Sequence, residues 1–128
     1  MAEFSNYLEN AFINAALRAT NFTAPSTVYV SLYTSNPNDD DSGTEVSGGS
    51  YARTAVTFDA PSNGVTQNSA DVTFPTATGS WGTVTHVAIH DALTSGNLLF
   101  HTPLDTSKTI DSGDIFKITA GNLTVTLA

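Results

Sequence analysis

Val28-Tyr29-Val30-Ser31-Leu32-Tyr33 changes side-chain character at every step. Successive side chains of an extended strand point to opposite faces, so Val28, Val30 and Leu32 share one face and Tyr29, Ser31 and Tyr33 the other. The pattern is that of a strand with one buried face, and the period of two persists downstream. Tyr51 to Phe58, Ala70 to Phe74, Thr83 to His90, Asn97 to His101, Lys108 to Ile110, Ile115 to Thr119 and Leu123 to Leu127 read as further strands. Turn-forming clusters separate nearly all of them: Pro61-Ser62-Asn63-Gly64, Thr78-Gly79-Ser80, Thr94-Ser95-Gly96, Asp111-Ser112-Gly113-Asp114 and Gly121-Asn122. Short strands at this spacing predict a mainly β fold, an antiparallel β-sandwich or jelly-roll.

Upstream of Pro25 the period is different. Phe4, Tyr7, Leu8, Ala11, Phe12 and Ala15 recur at spacings of three and four, with Glu3, Asn6, Glu9, Asn10 and Asn14 between them. This predicts one N-terminal amphipathic helix, Ser5 to Ala19, within residues 1–20. Ser5 can cap its first turn, while Glu9 and Arg18 suit the two ends of its dipole. Tyr7 and Phe12 form a stripe with two readings: a helix covering the sheet, or a helix docking onto a partner subunit. The longest irregular segment, residues 35–50, is expected to be a mobile loop or a contact element.

At 128 residues the chain suits a single domain spanning 1–128. Charged residues are only 12% of it, so much of the surface must be neutral Ser, Thr, Asn and Gly. Four basic residues stand against twelve acidic ones, a formal charge of −8, which disfavours nucleic-acid partners because phosphate affinity comes from Lys and Arg. With no cysteine, disulfides and thiolate zinc sites are excluded. Neither a signal peptide nor an apolar run able to span a bilayer is present, so the chain is expected to begin near Met1 and to have no membrane partner.

Chemistry-bearing patterns are sparse. Asp39-Asp40-Asp41, with Asn38 and Glu45 nearby, offers the oxygen ligands that calcium takes, but the spacing is not that of an EF-hand, and a solvated acidic loop is the simpler reading. His86 and His90 share a strand face about 13 Å apart and cannot bind one ion together. His101 could approach either if its strand pairs with theirs, beside Asp91 or Asp105, yet no recognised zinc-ligand spacing is present. No G-x-S-x-G elbow or phosphate-cradling glycine loop occurs, so no catalytic residue, cofactor or metal is expected. Trp81, between Ser80 and Gly82, is either core packing at the end of the sandwich or an exposed anchor for a partner or a sugar.

Four segments carry a resemblance: Asn6-Tyr7-Leu8-Glu9-Asn10, Gly43-Thr44-Glu45-Val46-Ser47-Gly48-Gly49-Ser50-Tyr51-Ala52-Arg53, Thr76-Ala77-Thr78-Gly79-Ser80-Trp81-Gly82-Thr83-Val84-Thr85-His86 and Thr106-Ser107-Lys108-Thr109-Ile110-Asp111-Ser112-Gly113-Asp114. Across nearly the whole chain the sequence resembles a family of small virion structural proteins of tailed bacteriophages, often labelled tail-fibre-like. The resemblance implies a non-enzymatic virion protein assembled in the host bacterial cytoplasm, either a capsid decoration (cement) subunit or a tail or tail-fibre subunit. Its implied partners are other virion proteins and further copies of itself, in a trimer or ring. The alternative is a carbohydrate-binding sandwich used in host attachment, with Trp81 and either Tyr29 or Tyr33 as its platform. Interface residues expected on this reading are Tyr7, Phe12, Glu45, Tyr51, Arg53 and Trp81. Arg53 has a second reading as an intrachain partner of Glu45 or Asp59.

Overall fold

The computed structural model describes residues 2–127. In chain order its elements are β1 (Glu3–Phe4), α1 (Asn6–Leu17), β2 (Val28–Tyr33), β3 (Thr54–Val56), β4 (Val65–Gln67), β5 (Val72–Thr73), β6 (Gly82–His90), β7 (Leu98–Ile110), β8 (Lys117–Ile118) and β9 (Thr124–Thr126). Five strands form one sheet in the order β1-β7-β6-β2-β3, and β4-β9 and β5-β8 form two small ladders. Every pairing is antiparallel. The fold is therefore mainly β with one N-terminal helix.

The alternation in β2 decides which face is apolar. Val30 and Leu32 are fully buried and meet Val84, Val87 and Ile89 of β6 in one core. Phe74, Phe116, Leu123 and Val125, in and beside the small ladders, join the same core, so the ladders cover the apolar face of the large sheet. Tyr51, Phe74, Phe116 and Trp81 form its aromatic end, with ring centroids 5.4–6.2 Å apart.

Ser5 caps α1 by accepting the Leu8 N–H at 3.1 Å, and its own hydroxyl donates to the Leu98 carbonyl of β7. A helix cap thus doubles as the joint between helix and sheet. Leu8 is buried, while Phe12 stacks edge-on between Phe4 and Phe22. The helix stops at Leu17, short of the expected Ala19, because Ala19 takes a left-handed φ of 55° and the Arg18 and Thr20 N–H groups both fold back onto the Asn14 carbonyl.

The segments Asn97 to His101 and Lys108 to Ile110, which read as separate strands, are joined, apart from Asn97, in the single strand β7. Pro103 suggests a break, since proline has no N–H for a ladder. It sits instead beside a register shift: His86 faces Pro103 and Val84 faces Lys108, so β7 takes five steps where β6 takes two. The extra residues bulge out and the strand resumes. β1 and β4 have two and three residues, too few to display a period in the sequence.

Candidate functional site

The second face of the large sheet is polar, although it is also buried. It carries Ser31 and Tyr33 of β2, His86, Ala88 and His90 of β6, and His101 of β7, which pairs with Ala88. Ser31 and His90 have no measurable exposure, and Tyr33 and His101 have 2% and 3%. A buried polar group must find partners, and here the acidic loop supplies them.

The segment after β2 turns back on itself. Thr34 N–H donates to the Thr44 carbonyl and Val46 N–H to the Leu32 carbonyl, each at 2.9 Å. The return strand lies along the edge of β2 beyond the end of β3. The chain between carries Asp39 and Asp41 over the polar face. Tyr33 donates its hydroxyl to Asp41 Oδ1 at 2.6 Å, and His90 Nε2 lies 3.4 Å from Asp41 Oδ2 and 3.3 Å from the Tyr33 oxygen. On the other side of the ring, His90 Nδ1 is 2.8 Å from Ser31 Oγ.

These contacts fix a tautomer. Tyr33 already spends its proton on Asp41, so Nε2 of a neutral His90 must carry the ring proton and Nδ1 must accept from Ser31. Burial holds the His90 pKa below the ordinary imidazole range, and the Arg53 charge adds to the effect, outweighing the pull of Asp41 and Glu45. Burial, reinforced by Asp41, likewise pushes the Tyr33 phenol well up, so the phenol stays protonated as the bond to Asp41 requires.

Ser31, His90 and Asp41 are the residue types of a hydrolytic triad, but their arrangement differs from one. In a working triad the serine lies free for substrate, with an oxyanion site nearby. Ser31 and His90 are wholly enclosed, and the Ser31 proton is committed inward. The geometry is that of a closed polar core.

A second set of bonds ties the loops together. Arg53 Nε and Nη2 donate to the two Glu45 oxygens at 2.9 Å each, and Nη1 donates to the carbonyls of Ala92 and Ser95 at 2.9 and 2.7 Å. The fork therefore joins the segment after β2 to the β6–β7 turn. Tyr51 donates to Glu45 Oε2 at 2.6 Å and accepts the Leu32 N–H at 3.0 Å. Burial alone would raise the Glu45 pKa, but the bonds from Arg53 and Tyr51 outweigh it and hold the carboxyl below its ordinary range.

Trp81 is 4% exposed and donates Nε1–H to the Gly49 carbonyl at 2.8 Å. Gly49 has a φ of +57°, and a Cβ there would lie 2.9 Å from the indole ring, so glycine is needed for the close approach. Of the six residues singled out in the sequence, Glu45, Tyr51 and Arg53 come together in one network, Trp81 packs against Tyr51, and Phe12 lies in the helix–sheet joint. Tyr7 stands apart at 41% exposure.

His101, opposite Ala88, takes its carboxylate partners from neither Asp91 nor Asp105. Its Nε2 lies 2.8 Å from Asp39 Oδ1 and 3.8 Å from Glu3 Oε2. Asp91 is occupied in closing the β6–β7 turn, where it accepts from Asn97 N–H at 2.7 Å and from its side-chain amide at 3.0 Å. The pairing of histidines with the acidic loop was the feature that sequence reading missed. A signal exists in hindsight: Ser31, Tyr33, His86, His90 and His101 are all polar positions of long central strands, and such a face needs polar cover.

A family model described as podophage GP4 fiber I protein gp80 matches residues 3–126. The chain belongs to that family. No curated protein matches it. The Gp80 match spans β1 through β9, so the helix joint, the loop and the polar core all lie within the family's extent. Membership in Gp80 carries a virion structural role among other virion proteins. Among the described residues, no helix is long and apolar enough to cross a membrane.

Proposed function

We propose that the chain is a non-enzymatic subunit of the phage fibre apparatus, held to neighbouring subunits by protein–protein contacts that include the outer face of α1. The observation that carries this reading is the exposure of Ile13 and Leu17, at 54% and 79%, one turn apart on the helix. The inner face of α1 is already committed through Leu8 and Phe12, so these two aliphatic side chains have no role in packing the subunit itself. Tyr7 extends the contact surface toward the acidic loop, whereas Phe12, Glu45, Tyr51, Arg53 and Trp81 act within the subunit and hold that surface rigid.

The carbohydrate reading requires exposed aromatic faces, and two of its three candidate platform residues, Trp81 and Tyr33, are inside the protein. The same enclosure of Ser31 and His90 favours a non-enzymatic role. The description of the family supports a position on the fibre rather than the capsid lattice.

The test is to replace Ile13 and Leu17 together with Ser and complement a phage lacking its own copy. The double variant should fold, as judged by circular dichroism, yet be depleted from purified particles and from any oligomer seen by analytical ultracentrifugation. Normal incorporation would overturn the assignment of α1 as a contact. Cryo-electron microscopy of the wild-type particle locates the subunit, and density repeated over the capsid lattice would replace the fibre reading with a cement role.

A further inference from the structure

We infer that Glu3, Asp39 and His101 form a binding site for a first-row divalent metal ion, with zinc the representative case. Three separate parts of the chain converge there. Glu3 lies on β1, directly paired with His101 on β7, and Asp39 arrives from the loop over the polar face. One ligand atom from each lies within 4.8 Å of the others.

The chemistry of the set is selective. An imidazole nitrogen with two carboxylates suits zinc and its first-row neighbours, while calcium and magnesium favour shells made entirely of oxygen. His101 is 97% enclosed, with a side-chain exposure of 3%, and Nε2 is aimed out toward the two carboxylates. Those carboxylates are 69% and 44% exposed, which gives an ion an entry path and leaves room for water ligands. A rigid nitrogen beneath two adjustable oxygens supplies three of the four positions of a tetrahedral shell, the fourth being left to water.

The two distances from the imidazole require little movement. Metal–ligand bonds of about 2.0–2.2 Å in a tetrahedron place neighbouring ligand atoms about 3.3–3.5 Å apart. Nε2 is now 2.8 Å from Asp39 Oδ1 and 3.8 Å from Glu3 Oε2, so one contact opens and the other closes by about half an ångström. Both shifts fall on exposed side chains. The two carboxylates also put negative charge at the site in a chain of formal charge −8, which draws divalent cations.

Binding would clamp β1, and with it the start of α1, to the loop and to β7. Asn6 N–H already donates to the Asp39 carbonyl at 2.9 Å, so the ion would reinforce an existing junction.

The experiment titrates zinc chloride into the metal-free full chain at pH 7.5, read by calorimetry and by thermal melting. About one ion per chain should bind, with a Tm rise on the order of 5–10 °C at one hundred times Kd. Glu3→Gln changes an exposed residue and leaves the fold intact, so it is the primary variant; it should weaken zinc binding by about tenfold or more. Asp39→Asn and His101→Gln should do the same, with circular dichroism confirming the fold. Absence of heat and of any Tm shift up to about 1 mM zinc would overturn the site. So would unchanged affinity in Glu3→Gln and His101→Gln, which would place the ion elsewhere, or equally tight calcium binding that survives His101→Gln, which would mark an oxygen-only acidic site.

Discussion

Acidification should destabilise this protein through His90, and the size of the effect follows from its enclosure. The ring has no exposure and faces Arg53, Asp41 and Glu45, with a pKa held below the ordinary value of about 6.5 by burial first and Arg53 second. A group whose folded pKa is depressed leaves the unfolded chain holding more protons as the pH falls, so stability is full above about 6.5 and declines below it. If the fold refuses the proton throughout, moving from pH 7.5 to 5.5 removes about 1.4 kcal/mol. His86 is depressed too, by burial and by His101, and adds a smaller loss in the same window. Glu45, whose folded pKa is depressed, contributes stability that is lost only at lower pH, as the carboxylate range is crossed. The assay is urea unfolding at pH 7.5, 6.5 and 5.5 on the wild type and on His90→Gln. Gln cannot titrate, so the pH-dependent loss should shrink by about 1 kcal/mol in the variant, whatever its absolute stability. Relief of self-repulsion among the acidic residues is common to both proteins and cancels in the difference. Equal slopes in the two proteins would refute the reasoning, because they would mean that His90 takes up its proton in the folded state as readily as in the unfolded one.

Three further outcomes follow from the same geometry. Ser31→Ala removes the donor to His90 Nδ1 in a site closed to water and should cost about 1–3 kcal/mol by urea unfolding, whereas replacing Ser31 and His90 together by apolar residues should cost less than the sum of the single changes. Arg53→Lys keeps the charge but loses the fork that spans Glu45, Ala92 and Ser95, and should cost about 2 kcal/mol, with faster amide exchange in the β6–β7 turn. Trp81→Ala should cost about 3–5 kcal/mol by denaturant unfolding, as expected for core packing; saturable glycan binding that vanishes in a still-folded Trp81→Ala would instead restore the platform reading.

The sequence displayed the fold where its pattern was long. β2 alternates over six residues and β6 from His86 to His90, and both bury the apolar face that the alternation specifies, while Ser5 caps the helix that the three-and-four spacing describes. What was hidden depended on distance along the chain or on brevity. Glu3 and Phe4 pair with β7 almost one hundred residues away, and no local period can announce such a contact. Pro103 carried a true local signal with the wrong consequence, because a bulge accommodated it within the strand. Ser31 and His90 stand fifty-nine positions apart, and only the β2–β6 register makes them neighbours.

The polar face explains why the acidic loop is ordered. A sheet with apolar residues on both sides would hold any apolar cover, in many registers, because hydrophobic contact has no direction. Here each bond has one geometry: Tyr33 and His90 converge on Asp41, His101 on Asp39, and Arg53 on Glu45. A loop displaced by one residue would strip the Tyr33 hydroxyl, His90 Nε2 and the Arg53 Nε and Nη2 groups of their carboxylate partners, at about 1–3 kcal/mol for each neutral donor and more for the guanidinium, which would keep only its bonds to Ala92 and Ser95. That penalty selects one arrangement of residues 35–50 from the many that a loop rich in Ser, Asn, Asp and Gly could adopt. On the function proposed above this matters directly, since a contact surface must be held in one form. Polar burial that adds little net stability can therefore still matter by making one conformation far better than the rest.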